Sequence, residues 1–326
     1  MIKNIAVLEG GYSHEKVISL RSAETVFQHI DREKYNPIKV RIDEEGWFAF
    51  VDGGKVEVNR NDFSIEHKGN KITFELAFIV IHGTPGEDGK LQAYFDMLTI
   101  PYTTCNQLTS TVTFNKFVCN QFLKNFDIPV AEAVLVRKNE IINEQAILAK
   151  VGLPCFVKPA DGGSSFGVTK VKEASQLKDA INLAITHGSQ AIIESFLQGR
   201  EFTNGIFKGK NGIKVLPITE IISNNEFFDF NAKYAGESKE VTPAELPTVI
   251  ERKIKQTTQK AYEILGLSGI CRIDYIVVNE EPHLIEINTV PGQSAQSIIP
   301  QQAAYEGIAL KDLFNDVIDV AFSQKG

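Results

Sequence analysis

The sequence has little cysteine, no block of basic residues and no long apolar run, and each lack removes a class of protein. Its four cysteines, Cys105, Cys119, Cys155 and Cys271, are scattered and form no Cys-x-x-Cys pair. That spacing argues against a zinc site or a disulfide framework and suits a reducing cytosol. Lysine and arginine number 34 against 41 aspartates and glutamates, for a formal charge of -7. A chain of that balance is a poor non-specific binder of nucleic acid, which needs many phosphate contacts. No stretch approaches the roughly 20 apolar residues that span a bilayer. The opening segment IKNIAVL is too short for a signal-peptide core, and no small-residue cleavage site follows it. The expectation is a cytoplasmic protein with neither membrane nor nucleic acid as partner.

What remains is an ordinary globular composition, 43% hydrophobic and 23% charged over 326 residues, enough for two or three domains. Residues 2–8 read as a short buried strand ending at the turn signal Gly10-Gly11, and a helix follows with Ser13 as its expected cap. FELAFIVI, residues 74–81, reads as a strand covered on both faces, as in a parallel sheet. His82-Gly83 stands at its C-terminal end, where open α/β sheets place ligands. Lys90–Leu98 is expected to be helical, and the α/β unit to end near Thr104.

The middle of the chain reads as α+β: a helix over 110–126, strands in AEAVLV, LPCFVKP, GVTKV and AIIE, and an amphipathic helix with Leu177, Ala180, Ile181, Ala184 and Ile185 on one face. The last third predicts a helix over Glu245–Leu265 and a hairpin of Ile270–Val278 with His283–Asn288. A terminal helix is expected over about 309–322. No internal repeat or low-complexity segment is present.

The hairpin carries the strongest chemical signal. Glu286 and Asn288 are two apart on a strand and so share a face. A turn centred on Glu280-Glu281 sets Asp274 almost opposite Glu286, so two carboxylates and an amide oxygen converge. Magnesium favours such hard oxygens when a nucleotide phosphate completes its shell. Taken alone, acids in a hairpin are more often a solvated face; the apolar neighbours Ile270, Ile273, Leu284, Ile285 and Ile287 weigh against that. A second signal is Lys158-Pro-Ala-Asp-Gly-Gly-Ser-Ser-Phe-Gly167, a strand-ending lysine and a Gly/Ser loop that could fold its N–H groups over phosphates. It is not a Walker A loop, and alone it is more often a plain hairpin.

Electrostatics joins the two signals. Each pair of like unit charges at 4 Å costs about 4 kcal/mol at an effective dielectric near 20. A site that brings a triphosphate to a carboxylate therefore needs cations, and Lys116, Lys158, Lys233 and Arg272 are candidates. Other segments carry less. Glu9-Gly-Gly-Tyr-Ser13 lacks the G-x-G-x-x-G of a dinucleotide turn, Gly86 and Gly89 suit a tight turn, and no Ser-His-Asp or Cys-His pairing stands out.

Taken in order, EGGYSHEKVISLRS, HGTPGEDGKLQ, IPYTT, the lysine of FNKF, VKPADGGSSFGV, IIESFLQGREF, FDFNAKY, PAEL, GICRIDY and IEINTVPGQSAQSIIP resemble the D-alanine–D-alanine ligases of the ATP-grasp fold. The likeness runs from Ile5 to about Ala321. It implies an N-terminal parallel-sheet α/β domain (1–104), then central (105–196) and C-terminal (197–326) α+β domains that clamp ATP. It also implies that Lys116, Lys158 and Lys233 meet the phosphates, Glu194 and Leu197 the adenine, and Glu201 the ribose. Asp274, Glu286 and Asn288 would hold two Mg²⁺, with Mn²⁺ as an alternative. Glu15 would bind the ammonium of the first D-alanine, with Ser164 and Tyr234 hydrogen-bonded to it and His82 near the same substrate. Arg272 and the Gly292 backbone would stabilise an oxyanion, and Ser297 would receive the carboxylate of the second D-alanine.

The resemblance implies an acyl-phosphate route, a homodimer, and, because of Tyr234, a dipeptide rather than a D-lactate ester. Ser195, Gly162 and Gln293 depart from common family residues without removing a reacting group. The alternatives are a ligase taking D-serine or D-lactate second, and a non-catalytic nucleotide-binding regulator; the four polar residues of the hairpin count against the regulator.

Overall fold

The computed structural model of the chain describes residues 2–162, 167–223 and 238–323. Three of the expected site residues, Ser164, Lys233 and Tyr234, lie outside the described residues. Strand β1 (Lys3–Gly10) is buried from Ile5 onward and lies between β2 (Tyr35–Asp43) and β7 (Leu76–Ile79), parallel to both. Helix α1 (Lys16–His29) makes the crossover from β1 to β2. A parallel core of this kind needs strands apolar on both faces, and IAVL and LAFI supply them. The edge is antiparallel: β3 (Gly46–Val51) and β4 (Gly54–Glu57) extend the sheet beyond β2. A small hairpin, β5 (Ile65–His67) and β6 (Asn70–Ile72), follows. No strand is expected over residues 35–72 from the sequence, although Trp47–Val51 is a continuous apolar run.

Helix α2 (Lys90–Met97) matches its expectation. The helix expected over 110–126 is instead two, α3 (Gln107–Phe114) and α4 (Lys116–Lys124). Asn115 breaks it: its backbone is extended, and its side chain accepts from the Val118 N–H at 3.0 Å. An asparagine satisfies a helix's first free donors better than it continues a helix. The break sets Lys116 in the first turn of α4, its own N–H on the Ala160 carbonyl at 2.8 Å. Ser13 does not cap α1; its hydroxyl donates to the His82 carbonyl at 2.8 Å and accepts from the Glu15 N–H.

The central sheet is wholly antiparallel, in the order β10 (Thr169–Val171), β9 (Cys155–Pro159), β11 (Gln190–Ser195) and β8 (Ala133–Arg137). Helices α5 (Glu144–Val151) and α6 (Leu177–His187) supply its core, and α6 buries Leu177, Ala180, Ile181 and Ala184 as its periodicity predicts.

The last sheet is antiparallel too. Two strands the periodicity misses, β12 (Arg200–Gly209) and β13 (Gly212–Ser223), lie between β14 (Ser238–Val241) and the hairpin of β15 (Ile270–Val278) and β16 (Glu281–Asn288). Helix α7 (Thr248–Ile264) starts after Pro247, later than expected. Helices α8 (Ile298–Tyr305) and α9 (Leu310–Ser323) end the chain. Leu313, Phe314, Val317 and Ile318 of α9 share one core with Ile5, Val7 and Phe78 of the first sheet and Phe207 of β12. Fully burying each such side chain is worth roughly 1.5–3 kcal/mol, so α9 fastens the first sheet to the last.

Candidate active site

The β15–β16 hairpin turns on two residues, Asn279 and Glu280, both with positive φ (49° and 63°), and Val278 pairs with Glu281. That turn is two residues tighter than the four-residue turn, Asn279 to Pro282, that the sequence suggests. Regular pairing from it would oppose Asp274 to Ile285 and send Glu286 to the other face. A bulge corrects the register: Tyr275 pairs with Leu284 and Asp274 with Glu286, leaving Ile285 as the extra residue. The Ile285 carbonyl is held by the Asn120 amide of α4 at 3.2 Å. Tyr275, Leu284, Ile273 and Ile287 then bury one face, while Arg272, Asp274, Glu286 and Asn288 gather on the other.

On that face Arg272 grips Asp274 in a fork, Nε to Oδ1 and Nη2 to Oδ2, each at 2.9 Å. Thr203 of β12 donates to Asp274 Oδ1 at 2.5 Å, and the Asn288 amide to Oδ2 at 3.1 Å. A planar guanidinium held on two points has a fixed direction, which a lysine there would not have.

Two cavities meet at this face. One of about 340 Å³ is lined by Lys116, Lys158, Glu194, Leu197, Glu201 and the apolar Phe156, Ile276 and Ile285. The other, of about 260 Å³, is lined by Glu15, His82, Arg272, Asn288, Gly292 and Ser297. Glu15, Lys116, Glu201, Asp274 and Glu286 border both. The fold thus brings every described candidate from the sequence to one connected site. Lys116 Nζ sits 3.2 Å from Glu286 and donates to the Gly162 carbonyl at 2.7 Å; Lys158 pairs with Glu194 at 2.5 Å. Burial pulls the Lys116 ammonium down, but Glu286 and Glu194 outweigh it and hold it above its ordinary value.

The chemistry of the donor set suits a divalent metal. Among the described residues no group of three or more His, Cys, Asp or Glu side chains gathers, so a fully protein-made cage is absent there. Two carboxylates and an amide on adjacent strands are hard oxygen donors of the kind Mg²⁺ takes when phosphates complete its shell. The four cysteines are buried and free. Among the described residues no helix is long and apolar enough to cross a membrane.

Residues 4–105 match the family model of the D-ala D-ala ligase N-terminus, and residues 122–319 that of the D-ala D-ala ligase C-terminus. The chain belongs to the D-alanine–D-alanine ligase family. It is 48% identical over 324 residues to a D-alanine–D-alanine ligase of Phocaeicola vulgatus, covering 99% of this chain and 100% of that one. To the enzyme of the same name from Flavobacterium johnsoniae it is 46% identical, with the same coverage. Among solved structures, the VanG D-Ala:D-Ser ligase from Enterococcus faecalis superposes with a TM-score of 0.88 at 30% identity, covering 98% of this chain and 100% of that one. The Bacillus anthracis D-alanine–D-alanine ligase complexed with ATP gives 0.81 at 26% identity, covering 99% and 98%. The fold is that of the ATP-grasp ligases, and the chain is a ligase.

Two residues at this site, Thr203 and Glu87, were not among the candidates read from the sequence. Thr203 sits on a strand that periodicity misses. Glu87 lies in the turn HGTPGEDG, whose glycines draw the eye; it lines the smaller cavity and accepts the Gly83 N–H at 2.7 Å and the Val290 N–H at 3.2 Å. Burial, with Glu15 close by, pushes its carboxyl up to about 7. One of two adjacent acids in a glycine-flanked turn offers no sequence signal for this.

Proposed function

We propose that this ligase consumes ATP to join two D-alanines into D-alanyl-D-alanine, the precursor dipeptide of peptidoglycan, through a D-alanyl phosphate. The observation that carries the reading is the bulged hairpin, which gathers Arg272, Asp274, Glu286 and Asn288 where the two cavities meet. The larger cavity takes the nucleotide: Glu194 and Leu197 at the adenine, Glu201 at the ribose, and Lys116, Lys158 and Lys233 at the phosphates. Asp274, Glu286 and Asn288 would hold two Mg²⁺ (or Mn²⁺), which would supply positive charge against the terminal phosphates.

In the smaller cavity Glu15 takes the ammonium of the first D-alanine, with Ser164 and Tyr234 bonded to Glu15, and His82 forms part of the wall. The first carboxylate attacks the γ-phosphorus, and ADP leaves. Ser297 receives the second carboxylate, and the second amine attacks the acyl phosphate. Arg272, aimed by its fork on Asp274, and the Gly292 N–H stabilise the tetrahedral oxyanion before phosphate departs. No side chain acts as nucleophile; positioning and charge do the chemistry.

The three-domain division at 104 and 196, a homodimer and a cytoplasmic location belong to the same proposal. A second reading, D-serine as second substrate, is favoured by the likeness to the VanG ligase; the nearly half-identical relatives favour D-alanine. A coupled ADP-release assay with D-alanine, D-serine and D-lactate decides between them. Release stimulated by D-alanine alone supports the proposal; no stimulation by any of the three ends it.

A further inference from the structure

The segment that carries the Gly292 N–H is held almost wholly by side chains of the first sheet's half of the molecule. Val290 has both backbone polar groups engaged from there. Its N–H donates to Glu87 at 3.2 Å, and its carbonyl accepts from His82 Nδ1 at 2.7 Å. Three residues on, the Gln293 N–H donates to the Ser22 hydroxyl of α1 at 3.0 Å. That hydroxyl lies 3.3 Å from His82 Nε2.

The roles follow from donor counting. A carbonyl only accepts, so Nδ1 of His82 carries a proton. In the neutral ring Nε2 is then an acceptor, and the Ser22 hydroxyl, which also receives the Gln293 N–H, donates to it. Burial lowers the basicity of His82, in keeping with neutrality. Both ring nitrogens are therefore engaged with protein, and the ring can offer a substrate only contact. Glu87 closes the arrangement by also accepting the Gly83 N–H at 2.7 Å, which ties the turn after β7 to the same segment. Ser22, His82, Val290 and Gln293 are all at least 95% buried, so water does not compete for these bonds.

We propose that Ser22, His82 and Glu87 are positioning residues that clamp residues 290–293 and so aim the Gly292 N–H at the reacting centre. The inference rests on the reading of Gly292 as an oxyanion donor. It makes that donor depend on the docking of the first sheet against the last: the half that holds the first substrate also sets the oxyanion site. Room is limited on the far side as well, since a Cβ on Gly292 would lie 2.7 Å from Ser297 Oγ. A segment held at both ends and tightly flanked has few alternative positions.

The test uses Ser22→Ala and Glu87→Gln in the full chain, with two readouts. Steady-state kinetics with ATP, Mg²⁺ and D-alanine should show kcat down about 100-fold, the scale of losing one oxyanion donor, with both KM values within about threefold. Amide hydrogen exchange of the free enzyme should speed up in peptides spanning 286–297 and stay unchanged in the central sheet. Unchanged exchange in 286–297, or faster exchange spread over the whole chain with a matching loss of stability, overturns the clamp. Should the unaltered protein release no ADP with D-alanine, the ligase reading fails instead, and the exchange measurement still decides whether the clamp exists.

Discussion

Gly292→Ala isolates one contact at the acceptor end of the site. Gly292 has no positive φ, so alanine carries no backbone penalty there, and its N–H is retained. The new Cβ, however, would stand 2.7 Å from Ser297 Oγ and 3.2 Å from Ser297 Cβ. Rotating the hydroxyl away relieves the first contact but breaks its 2.8 Å bond to Ser294 Oγ. The second contact needs a shift of a few tenths of an ångström in the 292–297 turn. In either case Ser297 no longer takes the position proposed for binding the carboxylate of the second D-alanine. A hydrogen bond to a charged group is worth about 1.5–3 kcal/mol, which at 1.4 kcal/mol per tenfold is roughly a 10- to 100-fold rise in KM for the second D-alanine.

The nucleotide cavity does not include Gly292, so KM for ATP should stay within about twofold, the usual range for a distant site. Ser297→Ala should raise the same KM by a similar factor. Because both changes act through one hydroxyl, the double variant should be little worse than Ser297→Ala. ADP-release kinetics at saturating ATP measure all three. If the two effects multiply, or if KM for ATP rises with them, the glycine acts by another route and the reasoning is wrong.

Other outcomes follow from the same site. Asp274→Asn should leave the fold intact by circular dichroism yet cut turnover at least about 100-fold, since it removes the carboxylate proposed to hold metal and unseats the Arg272 fork; unaltered turnover would contradict the metal assignment. Glu87→Gln should change how stability depends on pH. The carboxyl is pushed up to about 7, chiefly by burial, so the native protein keeps its proton where the unfolded chain has lost it, and wild-type stability falls as pH rises from about 4.5 to 7. The variant lacks this loss, so its stability relative to wild type should improve between pH 5 and 7 in urea titrations; a flat difference would show that Glu87 ionises normally. Tyr275→Phe removes a buried hydroxyl bonded to Thr258 Oγ1 at 2.9 Å on the core face of the hairpin. It should cost about 1 kcal/mol of stability and leave kcat unchanged.

The sequence by itself determined the chemistry of the hairpin and much of the fold class. Glu286 and Asn288 must share a strand face because the side-chain period is two, and the apolar runs at 5–8 and 76–81 demand cover on both sides. The stripe on α6 could be read for the same reason: local periodicity reports burial. The strands β2 to β6, β12 and β13 are not among those expected from the sequence, although β3 carries the apolar run Trp47–Val51 and these strands pair with neighbours close in the chain.

The tertiary structure alone decided the register. The two-residue turn at Asn279-Glu280, where four residues are expected, and the one-residue bulge at Ile285 together bring Asp274 opposite Glu286, and neither is dictated by local propensity. Asn120 of α4, bonding the Ile285 carbonyl, is a non-local contact that accompanies the bulge. The break at Asn115 that aims Lys116 involves the Ala160 carbonyl, and the clamp on Val290 and Gln293 joins residues some 200 or more positions apart. Contacts across such separations leave no periodic trace, because they exist only once the first and last sheets have packed on either side of α9.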